Sequence, residues 1–178
     1  MEITGTGWER MGVLLWKMGE NDKAEQVFTM LLDQEPDDEN NQAYCYHHLG
    51  LMKDDQGQYD VAIDFYEKSL AICEKILPPN HPSLATSYNS IGLAYDNMGD
   101  YSKALEFYEK ALKIREEALS SNHPDLAISY GNIGGVHNNM GDYSKALEFY
   151  EKSYKIKEKT LSPNHPDLAT SYNNIGGV

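Results

Sequence analysis

Cationic side chains are in short supply: 15 Lys and Arg stand against 28 Asp and Glu, a formal net charge of −13. Phosphate backbones and anionic lipid surfaces both require a basic face, so neither nucleic acid nor a membrane is an expected partner. Cysteine is nearly absent. Cys45 and Cys73 both fall in predicted helices and read as reduced, partly buried thiols of a cytoplasmic protein. No apolar stretch follows Met1 to make a secretory signal, and no run approaches the roughly 20 apolar residues needed to cross a bilayer. There is no His-Glu-x-x-His, no Cys-x-x-Cys and no Gly-x-x-x-x-Gly-Lys phosphate loop. The acidic run Asp33 to Glu39 lacks calcium-loop spacing and reads as a solvated turn broken by Pro36. Neither catalytic nor metal-ligating residues are assigned. No cofactor and no small-molecule substrate are expected, and the chain is not expected to be an enzyme.

What the chain does have is a repeat. Asn97–Lys110 and Asn139–Lys152 are the same fourteen residues, NMGDYSKALEFYEK, offset by 42. The triplet Asn80-His81-Pro82 returns as Asn122-His123-Pro124 and Asn164-His165-Pro166, again 42 apart. Turn glycines stand at Gly19, Gly57, Gly99 and Gly141. With 40% apolar residues, 2 Trp, 13 Tyr and 4 Phe, the chain has the material for a packed core. The three loop histidines are too widely spaced to share one metal ion, given helix separations of about 8–10 Å, and read as helix-opening residues before proline. His47 and His48, adjacent on one helix, make a poor metal pair.

Each unit reads as two helices. Pro82 suits a first helical position, where its missing N–H costs nothing. Leu84, Tyr88, Ile91 and Tyr95 then recur at 4, 3 and 4, the stripe of one helix face. Gly99 fits the left-handed residue that closes a helix, and Asp100 can cap the next. Tyr101, Ala104, Leu105, Tyr108 and Leu112 form the second stripe, with Glu106–Lys110 on the solvent side. Gly50, Gly92 and Gly134 fall inside first helices, where glycine costs about 0.5–1 kcal/mol relative to alanine; close approach of the second helix is the expected reason. Gly131-Asn132-Ile133-Gly134-Gly135 lies on a helix and follows no strand, so it is not a nucleotide loop. A lone hairpin cannot bury its stripe, so the hairpins are expected to stack. The expected organisation is a leader over 1–7 and an array over 8–178, with units near 5–42, 43–84, 85–126 and 127–168 and a partial fifth at 169–178. The array is expected to be a stretch of a longer one.

Trp8, Met11, Gly12 and Leu15 with Ala24, Phe28, Leu31 and Pro36 resemble the tetratricopeptide repeat. So do Tyr46, Leu49, Gly50, Ala62 and Tyr66; Tyr88, Ile91, Gly92, Tyr95, Ala104, Tyr108 and Ala111; and Tyr130, Ile133, Gly134, His137, Ala146, Tyr150 and Ser153. The 42-residue period and the His-Pro-x-Leu-Ala opening resemble the kinesin light chain and nephrocystin-3 type arrays. No heptad segment of the kind that joins kinesin light chain to its motor occurs here. The resemblance implies an all-α fold, a right-handed α-solenoid superhelix of stacked helix-turn-helix repeats, with first helices on a concave wall.

On that geometry the groove stripe carries His47, His48, Leu51 and Asp54 in the second unit, and Thr86, Asn89, Leu93 and Asp96 in the third. Asn132 and Asn138 follow in the fourth, and Asn173 and Asn174 in the fifth. Asparagine both donates and accepts, so it can hold an extended peptide backbone. The paired lysines with which some family members clamp a partner's terminal carboxylate are replaced by Thr6 and Arg10, Tyr44 and His48, and Thr86 and Ser90. The implied function is a cytoplasmic scaffold or adaptor that binds a neutral or basic peptide segment of a partner protein, with a kinesin light chain-like cargo role among the options. The alternative is a structural or regulatory segment of a larger protein, attached to an upstream enzyme domain. The sequence sets no oligomeric state.

Overall fold

The structure, a computed structural model, describes residues 7–34 and 36–178. Residues 1–6 of the expected leader, Thr6 among them, and Glu35 of the acidic run lie outside the described residues. The described residues form nine helices and no strand. They fall into two compact units, one ending at Pro78 and one beginning at Pro79.

The first unit holds α1 (Gly7–Lys17), α2 (Asn21–Gln34), α3 (Glu39–Asp55) and α4 (Tyr59–Ile76). The second holds α5 (Pro82–Met98), α6 (Tyr101–Ala118), α7 (Pro124–Asn139), α8 (Tyr143–Thr160) and α9 (Pro166–Gly176). Within each unit every helix packs on its neighbours in the chain. Odd-numbered helices are the first helices of the hairpins and even-numbered ones the second.

The helix ends follow their sequence signals. Gly99 takes φ +80°, Gly99 N–H donates to Asp96 O at 2.9 Å, and Asp100 N–H reaches Tyr95 O at 2.9 Å. This is the paired closure that a left-handed terminal residue permits. Asp100 and Asp142 then cap α6 and α8, each accepting from a backbone N–H three residues on at 3.3 Å. The loop histidines are caps as well. The Nδ1 atoms of His81, His123 and His165 accept the backbone N–H of Ser83, Asp125 and Asp167, each at 3.2 Å. Imidazole thus takes the place usually given to Ser, Asp or Asn ahead of a proline at the first helical position.

The glycines inside first helices answer to packing. A Cβ on Gly92 would fall 2.8 Å from Tyr108 Cδ1, and one on Gly134 would fall 2.7 Å from Tyr150 Cδ1. The tyrosine ring lies flat where a side chain would stand. Ala24, Phe28, Leu31, Cys45, Leu49 and Met52 form the core of the first unit. In the second unit Ala104, Tyr108, Ile133 and Val136 form one cluster, and Leu126, Ala127 and Ile156 another. Full burial of one such large side chain is worth about 1.5–3 kcal/mol, so these clusters hold successive hairpins together within each unit. Outside them, Lys68, Lys110 and Lys152 each lie over an aromatic pair: Tyr46–Phe65, Tyr88–Phe107 and Tyr130–Phe149.

Candidate peptide-binding face

Packing consumes one stripe of each first helix. Ile91 and Gly92 are buried, and Tyr88 and Tyr95 lie half-buried against Phe107. The stripe on the other side of the helix holds the residues picked out in the sequence. The two units present it differently.

In the second unit, Thr86 is exposed near the start of α5, and its Oγ1 donates to Pro82 O at 3.5 Å. Asn89 is half-buried; its Oδ1 accepts from Asn132 Nδ2 of α7 at 3.1 Å. Leu93 is 40% exposed. Asp96 is half-buried, and its Oδ1 accepts from Asn139 Nδ2 at 3.4 Å. Burial raises the Asp96 carboxyl, and the Asn139 bond offsets part of that rise. Asn138 is half-buried, while Asn173 and Asn174 on α9 are exposed. The structure therefore brings Asn89 together with Asn132, and Asp96 with Asn139, and leaves the two α9 asparagines open to solvent.

Beneath this ladder lies a residue that the sequence reading did not single out. Arg115 of α6 is buried, and its Nη1 donates to Ser129 Oγ at 2.6 Å and to Asn89 Oδ1 and Asp125 O at 3.5 Å each. Burial lowers its pKa, and Asp125 opposes the shift. One repeat later, Lys157 of α8 donates to Ser171 Oγ of α9 at 3.3 Å. A cation on a second helix thus reaches a serine on the next first helix in both places. The signal in the sequence was Arg115 itself, one of two arginines, aligned 42 residues before Lys157.

In the first unit, the same stripe is more aromatic. The His48 ring lies 4.1 Å from Tyr44, 5.3 Å from Phe28 and 6.4 Å from Trp16, and its Nδ1 is 3.0 Å from Tyr44 O. Its imidazole is thus packed toward α1 and α2. His47 lies 5.6 Å from the Tyr66 ring and 5.8 Å from His48. Burial and then the neighbouring His48 lower its pKa to about 4, so it is a neutral group at ordinary pH. Leu51 and Asp54 are half-buried. Trp16 Nε1 donates to Asp55 Oδ2 at 3.0 Å. The Tyr66 hydroxyl is buried, and desolvation with the charges of Asp54 and Asp55 pushes it well above its ordinary value. Among the described residues no group of three or more His, Cys, Asp or Glu is placed to hold a metal ion. No described helix is long and apolar enough to cross a membrane.

Hollows exist elsewhere. One of about 520 Å³ is lined by Pro79, Asn80, Tyr88, Lys110, Lys113, Ile114 and Glu117 and shares no residue with the stripe.

The fold has close relatives among solved structures. A protein of Podosopora anserina assigned as a kinesin light chain, with nearly identical TPR-like repeats, superposes with a TM-score of 0.80 at 23% identity, over 96% of this chain and 82% of that one. BtubC (BKLC) of P. vanneervenii gives 0.84 at 23%, over 93% and 68%. The apo form of RapI gives 0.81 at 18%, over 94% and 46%. No curated protein matches the chain. The tetratricopeptide repeat pattern matches residues 4–75, 41–117, 83–159 and 125–178. With that pattern along the whole array, and hairpins closed on a glycine beneath an aromatic ring, the chain belongs to the tetratricopeptide repeat family, whose members are typically protein-interaction scaffolds and generally not enzymes.

Proposed function

We propose that the first-helix face receives a peptide segment of a partner protein, and that the chain is a non-catalytic cytoplasmic scaffold. One observation carries this reading. In the second unit, Leu93, Asp96, Asn132 and Asn138 stand together on the side of α5 and α7 that packing leaves over, half-buried or exposed. Side chains of this kind can pair with the amides of an extended backbone and seat its apolar groups. With a net charge of −13 and Asp96 in the face, a neutral or basic segment fits and an acidic one is repelled. Likeness in fold to a protein assigned as a kinesin light chain supports a cargo-adaptor version of this role. Cys45, buried, and Cys73, half-buried, are thiols outside any disulfide, which suits a reducing compartment.

The test is isothermal titration against a peptide library, followed by Asn132→Ala, Leu93→Asp and Asn174→Ala. The reading expects loss of binding for at least Asn132→Ala and Leu93→Asp, with helicity kept. Binding that all three leave unaltered would place the site elsewhere.

A second reading has an observation of its own. The Asn89–Asn132 and Asp96–Asn139 bonds spend polar groups of this face on holding α5 to α7. That favours a spacer or regulatory segment of a larger protein. If no library peptide binds, and an adjoining domain changes activity when the array is unfolded, this second reading stands.

A further inference from the structure

One side of α1 is apolar where a solvent-facing helix is ordinarily polar. Trp8, Met11, Leu14 and Met18 recur at helical spacing along it, and all four are exposed. The repeat register says what this side is. Gly12 lies against the Phe28 ring as Gly50 lies against the Tyr66 ring, so α1 and α3 align at an offset of 38. Met11 and Leu14, 46% and 59% exposed, then correspond to Leu49 and Met52 of α3, at 2% and 1%. In α7 the same two places hold Ile133 and Val136, both at 0%. Positions sealed in α3 and α7 are open in α1.

The seal comes from the second helix of the preceding hairpin. Ala24, Phe28 and Leu31 of α2 cluster with Leu49 and Met52, and Ala104 and Tyr108 of α6 cluster with Ile133 and Val136. The described helices that pack on α1 are α2, from its own hairpin, and α3. A polar contact goes with the seal. Tyr130 of α7 donates to Glu116 of α6 at 2.8 Å. The Tyr172 hydroxyl of α9 lies 2.6 Å from that of Tyr154 of α8, which donates to Glu158 at 2.8 Å. Trp8 holds the same repeat position in α1, with an indole N–H where those helices carry a phenol.

We propose that the Trp8–Met11–Leu14 side of α1 docks one amphipathic helix of a partner protein, seated as a second helix seats on the following first helix. That helix carries Ala, Tyr four residues on, Ala or Ser seven on and Glu twelve on. This is the pattern of Ala104, Tyr108, Ala111 and Glu116, repeated at Ala146, Tyr150, Ser153 and Glu158. The small residue and the ring close over Met11 and Leu14, and the Glu accepts from Trp8 Nε1. A second copy of the chain has no such helix to give. The Ala–aromatic stripes of α2, α4, α6 and α8 are all buried, and two chains of charge −13 repel. The site is separate from the peptide face, none of whose residues aligns with Trp8, Met11 or Leu14.

The experiment uses the whole chain and, as probe, an acetylated and amidated peptide of residues 100–119, which carries the pattern and no tryptophan. Titration with the peptide is expected to give a saturable blue shift of the chain's tryptophan emission. Met11→Glu and Leu14→Glu are expected to abolish it with helicity unchanged, since both side chains are exposed in the free chain. The same peptide with Tyr108→Asp is expected not to bind. Trp8→Phe is expected to weaken binding about 3- to 10-fold by isothermal titration, the worth of one hydrogen bond. No saturable binding, full binding by Leu14→Glu, or full binding of the Asp peptide would overturn the docking site. Unchanged affinity in Trp8→Phe would overturn the indole–Glu bond. Two outcomes would overturn the partner. Self-association in sedimentation that Leu14→Glu abolishes would assign the face to a second copy. Refusal of the peptide by a chain extended before Met1 would assign it to that extension.

Discussion

Asn132 Nδ2 donates to Asn89 Oδ1 at 3.1 Å, joining α7 to α5 across 43 positions of sequence. The bond is one residue out of step with the 42-residue repeat, so each asparagine meets the neighbour of its equivalent. Arg115 Nη1, 3.5 Å from the same oxygen, gives that acceptor a second donor. We expect Asn132→Ala and Asn89→Ala to cost about 0.5–1.5 kcal/mol each. In the double-mutant cycle the coupling should be about 0.5 kcal/mol or more, since the residues touch. Urea titration of the four proteins measures it, and strictly additive losses would show that the ladder bond contributes nothing.

Glycines of α5 and α7 separate into two kinds, and substitution should separate them too. Gly92→Ala drives a methyl into Tyr108, 2.8 Å from Cδ1, and overpacking of this kind costs about 1–3 kcal/mol. Gly131→Ala meets only Ser153 Oγ at 3.6 Å and should gain about 0.5–1 kcal/mol from helix propensity. Opposite shifts in Tm are the expected result. A loss for Gly131→Ala would mean that α7 needs that glycine for its own packing.

These two kinds of glycine also mark how far the sequence could be read. Gly50, Gly92 and Gly134 recur at the repeat period, and recurrence alone pointed to a close approach that the rings of Tyr66, Tyr108 and Tyr150 supply. Helix caps at Asp100 and Asp142 were legible for the same reason: each follows a turn glycine at a fixed distance. The Asn89–Asn132 pair was not legible. Its partners depend on how far one first helix slides against the next, which no periodicity encodes. Asn132 reads as a groove residue from its helix face, yet one of its side-chain N–H groups is directed at Asn89 of another helix. Arg115 stands in a charged helix end, REE at 115–117, where an arginine reads as solvated. Only the stacking of α6 on α7 turns it inward to Ser129.

Histidine at the cap of a first helix is a replaceable device. His123 Nδ1 accepts the Asp125 N–H at 3.2 Å and also lies 3.9 Å from the Asp125 carboxylate. His123→Ala removes the acceptor and should cost about 0.5–2 kcal/mol, the usual worth of an N-cap. His123→Asn, which keeps an acceptor at short reach, should restore most of it. Thermal denaturation of the pair decides. Equal loss in both variants would mean the ring matters for its packing and not for its lone pair.

Stability should fall in mild acid, and His47 sets the window. Its imidazole is held against Tyr66 and His48, and burial followed by the proximity of His48 lowers its pKa from 6.5 to about 4. The unfolded chain takes up a proton near pH 6.5, while the folded chain resists it until near pH 4. Between those values the unfolded state binds more protons, so stability rises with pH across the window and is complete above it. At 1.36 kcal/mol per pH unit, the loss on descending from pH 6.5 to 4 is on the order of 3 kcal/mol. His48 is lowered in the same direction, again by burial, and adds to the slope. Urea midpoints at pH 7, 5.5 and 4.5 should therefore drop steadily in the wild type. They should drop less in His47→Gln, which fills much of the same space and cannot take a proton. If His47→Gln follows the wild-type curve over the whole range, the imidazole is already solvated in the fold, and the acid sensitivity belongs to other groups.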